Sequence, residues 1–362
     1  YSMKKYFILL LILLASFMLN MAFASATNNE KNWTTVNILQ WWGYISSTDP
    51  YIKKIERSCH ANISYDQYYS NSEFLKRIKN RPDHYDIIIF SDTIFKAIRN
   101  SIANNKNSLY KLSKNYSSVI RKQYELNKFP HNVVFFVHSL TGFLYNPKAI
   151  TLNANDNIFD MFRKAKGKTV VMLDDPVEAE FLLSLGIREV RYPKARFTQK
   201  LNLIPLTINN FKKLYKGTNF IITNLPERIS TKPNFAFAFQ WSGDAIEIIK
   251  NSKGKLKFFI HPKLSYITSD LLAALDNKKT TMCVANLLGS RWFLQHEQNK
   301  TFYFSPYVDG SNIHDPYFDK IFDHWKNNLS TLHWAVSVEH RQFKTLVSQW
   351  NNIKLNIEKQ HD

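Results

Sequence analysis

The chain has 362 residues, with 48 lysines and arginines against 29 aspartates and glutamates, a formal charge of +19 and 44% hydrophobic residues. That apolar content suits a globular chain with real cores and excludes a disordered one. Only nine glycines and two isolated cysteines occur, which excludes a glycine-rich phosphate cradle and a zinc knuckle.

In chain order, Lys4 and Lys5 precede a nearly unbroken apolar run from Tyr6 to Leu19, followed by Ala22-Phe23-Ala24 and Ala24-Ser25-Ala26. A positive start, a short apolar run and a small-x-small site predict a cleaved secretory signal peptide over residues 1–26. The run is too short to span a bilayer comfortably. No cysteine marks a lipid anchor. The mature chain is expected to be periplasmic, starting near Ser25 or Thr27. Its length, about 335 residues, suits two domains. Removing Lys4 and Lys5 from the total leaves +17, spread mostly as single lysines and short pairs such as Lys53-Lys54 and Lys278-Lys279. No block of basic residues points to nucleic acid, and none is expected as a partner.

Val36 to Leu39 reads as a strand. Asp49 to Arg57 reads as a helix with Asp49 as N-cap and Pro50 in its first position. Asn62 to Tyr65 is a second strand, Ser72 to Lys79 a helix with Phe74, Leu75 and Ile78 on one face. Tyr85 to Phe90 is a continuous apolar run, the pattern of a parallel strand buried on both faces. Ser91-Asp92 is expected to cap a helix from Thr93 to Asn100. This β-α-β-α-β order predicts a doubly wound α/β unit.

A second unit follows. Thr169 to Leu173 is a strand, and Asp174-Asp175-Pro176-Val177-Glu178 opens a helix expected to end near Gly186. Asn219 to Ile222 and Phe235 to Phe239 are further strands, and Pro316 to Lys359 is helical and amphipathic. The predicted fold class is α/β, two doubly wound lobes without a flexible linker. Their ligand cleft would lie between them at the carboxyl ends of the strands.

No His-Glu-x-x-His and no Gly-x-Ser-x-Gly occurs, and His131 and His138 lack a patterned carboxylate. No catalytic residue, metal or cofactor is expected, and the chain reads as a binding protein rather than an enzyme. Tyr68-Tyr69 looks like the adjacent tyrosines of some ferric-ion binders, without a companion cluster. Cys59 and Cys283, an even count, permit one disulfide in an oxidising compartment. Sequence leaves open whether they pair or are buried thiols.

Several segments in correct order carry a family resemblance. These are Gln40-Trp41-Trp42-Gly43-Tyr44-Ile45, Tyr65-x-x-Tyr68-x-Ser70-Asn71-x-Glu73 and Tyr85-Asp86-Ile87-Ile88-Ile89-Phe90-Ser91-Asp92, then Thr141-Gly142-x-x-Tyr145-Asn146. Lys166-Gly167-Lys168 leading to Asp174-Asp175-x-x-Glu178, and Phe239-Gln240-Trp241-Ser242-Gly243-Asp244-Ala245, complete the set. Together they resemble the exported spermidine/putrescine-binding proteins of ABC transporters over residues 35–275. The resemblance implies the type II periplasmic binding fold, a signal peptide over 1–26, a first lobe from 27–138 plus 262–304 and a second from 139–261 plus 305–362. It also implies a monomer that binds a polyamine or related amine and meets an ABC transporter permease.

Carried over residue by residue, the resemblance implies ligand contacts from Trp41, Tyr44, Ser91, Asp92, Asp175, Glu178 and Trp241, and from Asp270 across a gap. Gly43 stands where the spermidine binder carries an acid, Thr93 where it carries a tyrosine, and Thr268 where a tryptophan belongs. Trp42 or Tyr266 would supply the lost aromatic surface. Each residue also has a structural reading: Asp175-x-x-Glu178 around Pro176 is a capping box, Ser91 an N-cap, and both tryptophans are core candidates. Two alternatives remain: the same fold with another amine, amino acid or anion, and a basic exported module binding anionic polymers, betrayed by steep salt dependence.

Overall fold

The computed structural model describes residues 32–102, 108–191, 207–307 and 313–359. The expected signal peptide lies outside them. The strands are β1 Thr34–Trp41, β2 Ala61–Tyr68, β3 Ile87–Ser91, β4 Val133–Tyr145, β5 Thr169–Met172, β6 Asn219–Ile222, β7 Phe235–Trp241, β8 Lys257–Phe259, β9 Tyr266–Ala274 and β10 His333–Trp334. The longer helices are α1 Pro50–Cys59, α2 Asn71–Asn80, α3 Ser118–Asn127, α4 Ile158–Lys164, α5 Pro176–Arg191, α6 Ile208–Tyr215, α7 Ser242–Asn251, α8 Lys279–Leu288, α9 Arg291–Thr301, α10 Pro316–Asn328 and α11 His340–Glu358.

Hydrogen-bonded strands run in the order β2-β1-β3-β9-β4-β7-β5-β6, with β10 beside β9 and β8 beside β4. The pairs β1–β2, β1–β3, β5–β6 and β5–β7 are parallel. β4 is the seam. Residues Val133 to Leu140 pair antiparallel with β9, while Thr141 to Tyr145 pair antiparallel with β7. The strand thus leaves one α/β lobe and enters the other. At the change of partner, Thr141 Oγ1 accepts from Tyr266 N at 2.9 Å and donates to Tyr266 O at 3.1 Å. The carboxyl ends of β1 and β3 in one lobe and β5 and β7 in the other meet at this level, which is where α/β folds place ligands.

The local expectations hold through α2. Asp49 Oδ1 caps α1 by accepting from Tyr51 N at 2.8 Å, and Phe74 and Ile78 bury the inner face of α2. Four differences stand out. The segment after Ser91 is a broken helix, two 3₁₀ turns around Phe95–Ile98. α5 continues past Gly186 to Arg191. That glycine answers packing: a Cβ there would stand 2.5 Å from Ile158 Cγ2 on α4. Residues 316–359 are two helices, not one, since β10 pairs with β9 between them. Gly43 has φ of +97°, so backbone conformation demands glycine where the resembled family carries an acid.

Cys59 and Cys283 form a disulfide, with Cα atoms 5.7 Å apart, tying α1 to α8. One continuous core spans both lobes. α11 straddles them: Phe343 packs beside Ile98 of the first lobe, and Trp350 Nε1 donates to Asp174 Oδ1 of the second at 2.7 Å. Among the described residues, no helix is long and apolar enough to cross a membrane.

Candidate functional site

Trp41 ends β1 directly beside Tyr68 of β2, and their ring centroids are 4.5 Å apart. Trp241 ends β7 in the other lobe, and its ring lies 6.5 Å from that of Trp41, edge to face. Ser91 at the end of β3 pairs with Asp270 of β9. Tyr44 donates a hydrogen bond to the Asp270 carboxylate. The Tyr44 ring is 6.3 Å from Tyr303, whose hydroxyl donates to Asp244 Oδ1 at 3.0 Å.

From the second lobe, Asp175 opens α5. Its Oδ1 accepts from Val177 N at 2.8 Å and Glu178 N at 3.1 Å. Its Oδ2 accepts from Asn71 Nδ2 at 2.8 Å, a bond between the two lobes. Glu178 does not complete the capping box. Its carboxylate accepts instead from Trp241 Nε1 at 3.3 Å and from the Tyr266 hydroxyl. An N-cap aspartate followed by a glutamate at the third position needs no further explanation from helix physics. A glutamate drawn away to a tryptophan and a tyrosine does.

The cleft therefore gathers Asp92, Asp175, Glu178, Asp244 and Asp270, and among the described residues none is paired with a lysine, arginine or histidine. Their titration reflects this. Burial, then the Asp175 charge, pushes Glu178 up to about 8. Burial pushes Asp270 up to about 7 against the hydrogen bond from Tyr44, and Asp244 up to about 6. Asp92 is raised well above the carboxylate range by burial, with the Asp270 and Glu178 charges adding to it, and Asp175 is raised by burial. One Asp92 oxygen is buried with no hydrogen-bond partner. Carboxyls desolvated together in a cleft lined by aromatic rings form an environment that favours an incoming cation.

Of the residues singled out in sequence, the structure brings Trp41, Tyr44, Ser91, Asp92, Asp175, Glu178, Trp241 and Asp270 to this one level. Ser91 is an N-cap there, its hydroxyl 2.8 Å from Thr93 Oγ1. Trp42 is not among them. It is 64% exposed and stacks on the exposed Tyr69, so Tyr266 alone of the two replacements, fully buried, reaches the carboxyls through its bond to Glu178. Tyr68 is buried and donates to Ile89 O, so the adjacent tyrosines point apart. His138 is buried against Ser269 Oγ at 2.8 Å, and burial pushes it down to about 3. Sequence reasoning missed Tyr68, Asp244 and Tyr303 as neighbours. Asp244 lay within a quoted motif, whereas Tyr303 lay beyond the stretch that carried the resemblance. A separate cavity of 820 Å³ between α2 and α11 has an apolar floor, including Leu75 and Phe343, and a rim carrying Lys76, Lys79 and Lys344. Its charge is opposite to that of the cleft.

No protein-family model and no curated protein matches the chain. Solved structures do. The spermidine/putrescine ABC transporter substrate-binding protein of Streptococcus pneumoniae superposes with a TM-score of 0.65 at 17% identity, over 89% of this chain and 99% of its own. A putative spermidine/putrescine ABC transporter protein of Listeria monocytogenes gives 0.66 at 16%, over 90% and 99%. A binding protein of A. tumefaciens in complex with glucopine gives 0.62 at 11%, over 89% and 100%. The chain has the two-lobed type II periplasmic binding fold that its sequence motifs resemble.

Proposed function

We propose that this protein is the substrate-binding component of an ABC importer. It is exported to the periplasm, takes a polyamine of the spermidine or putrescine kind into the cleft, and presents the closed form to a membrane permease. The observation that carries the reading is the set of carboxyls without cationic partners, interleaved with Trp41, Tyr44, Trp241 and Tyr266. Ammonium groups would make charge-assisted hydrogen bonds to Asp270, Glu178 and their neighbours. The tryptophan faces would add about 0.5–2 kcal/mol per cation–π contact and cover the methylenes between. Binding, not catalysis, is the whole of this activity. The Cys59–Cys283 disulfide fits an oxidising compartment. The basic surface does not oppose cation capture, since exposed charge is screened within about 10 Å.

A thermal-shift screen of the mature protein against spermidine, putrescine, agmatine, basic amino acids, glucopine and simple anions tests this. Ligand at about a hundred times its dissociation constant adds about 2.7 kcal/mol of stability. A shift confined to polyamines is the expected result. No response to any amine would sink the reading. Gly43, Thr93 and Thr268 depart from the family pattern, and a neighbour of the same fold holds glucopine. These favour a second reading, a different small ligand in the same cleft, which a shift confined to a non-polyamine would select.

A further inference from the structure

A second polar cluster lies away from the cleft, where α1 starts against α9. Asp49 Oδ1 is held by Tyr51 N, and its Oδ2 is 2.8 Å from His296 Nε2. Glu297 is fully buried: Oε1 accepts from Lys300 Nζ at 2.6 Å, and Oε2 has no hydrogen-bond partner. One donor atom from each of Asp49, His296 and Glu297 lies within 4.8 Å of the others. Lys300 Nζ is also 3.5 Å from Asp49 Oδ2 and donates to the Tyr44 carbonyl. The Tyr51 ring stacks on the His296 imidazole at 3.7 Å, nearly parallel, which fixes its plane.

Two carboxylates face one ammonium here. A buried carboxylate oxygen without a donor is costly, so the pocket holds unmet capacity for positive charge. An imidazole nitrogen with two carboxylates is a donor set for a borderline divalent ion rather than for calcium or magnesium, which take oxygen. Tetrahedral zinc with donors at about 2.0–2.2 Å holds them about 3.4 Å apart. The spacings here, from 2.8 Å to within 4.8 Å, need only side-chain rotation to reach that.

We propose that Asp49, His296 and Glu297 form a binding site for a divalent ion of the zinc class. Lys300 is an internal cation that competes for the same carboxylates. Its side chain is 31% exposed, so its ammonium can turn to solvent and leave a fourth position to water. The same ammonium braces the Tyr44 carbonyl, so metal entry releases that brace.

Zinc titrated into the chelator-treated mature protein by calorimetry tests the site. H296A and E297Q are each expected to weaken zinc binding at least about tenfold. K300M is expected to tighten it by a similar factor, a gain that misfolding cannot imitate. Zinc binding indifferent to all three substitutions, or undetectable in both wild type and K300M, would overturn the proposal. Calcium binding in preference to zinc would overturn the assignment of class.

Discussion

Glu178 occupies the third position of a helix where a glutamate ordinarily turns back to its N-cap, yet its carboxylate meets Tyr266 and Trp241. Burial raises its folded pKa to about 8. A carboxyl raised in the folded state binds more protons there than in the unfolded chain, so its contribution to stability is full below about pH 4.3 and is lost as pH climbs through 8. Asp270 and Asp244, at about 7 and about 6, act in the same direction. Through these carboxyls the protein without ligand should therefore lose stability between about pH 4 and 8, measured by denaturant midpoint. Cations need these groups ionised, so polyamine affinity should rise over the same interval with proton release on binding, seen by calorimetry in buffers of different ionisation enthalpy. E178Q keeps the size and removes the charge. It should lose less stability toward alkaline pH while binding polyamine at least about tenfold more weakly. A variant that binds as tightly as wild type would remove Glu178 from the ligand's contacts.

At the scale of elements, the disulfide joins two helices of one lobe across a sequence separation of 224. Closing a loop of that length restricts the unfolded chain, and removing such a link typically costs about 2–5 kcal/mol. C59A together with C283A, or reduction, should lower the unfolding free energy by that amount, read from denaturant titration, while leaving the cleft's ligand preference unchanged. Element existence was legible because periodicity and capping are local: Asp49-Pro50 and the run Ile87 to Phe90 act where they were expected. Element ends were less so. Gly186 reads as a terminator, yet a residue of α4 far away in sequence decides its role. The break between α10 and α11 depends on β9 as a partner, which no local pattern announces.

At the scale of the molecule, the lobes touch through Asn71–Asp175 and through Trp41 against Trp241, both at the cleft. A ligand that bridges the two faces should favour the closed arrangement, giving a smaller radius of gyration by solution scattering when it is added. N71A removes a bond between lobes and leaves one oxygen of the buried Asp175 unpaired. It should weaken ligand binding by about 1–3 kcal/mol, read by calorimetry, with the ligand-free scattering shifted toward the open form. Equal affinity in N71A would mean that this contact is incidental to closure.

By itself the sequence determined the alternation of strands and helices and the places of β1, β3, β5 and β7 along the chain, and thus the level at which their carboxyl ends meet. These follow from hydrophobic period, caps and the geometry of parallel strands, all local or nearly so. Only the tertiary structure decided that Cys59 meets Cys283, that Trp42 faces solvent while Tyr266 faces Glu178, and that Asp244 and Tyr303 join the acidic cluster. Each of these depends on which chain segments β4 and β9 bring together. A strand exposes alternate residues to opposite faces, and only the partner on each side determines which face becomes cleft.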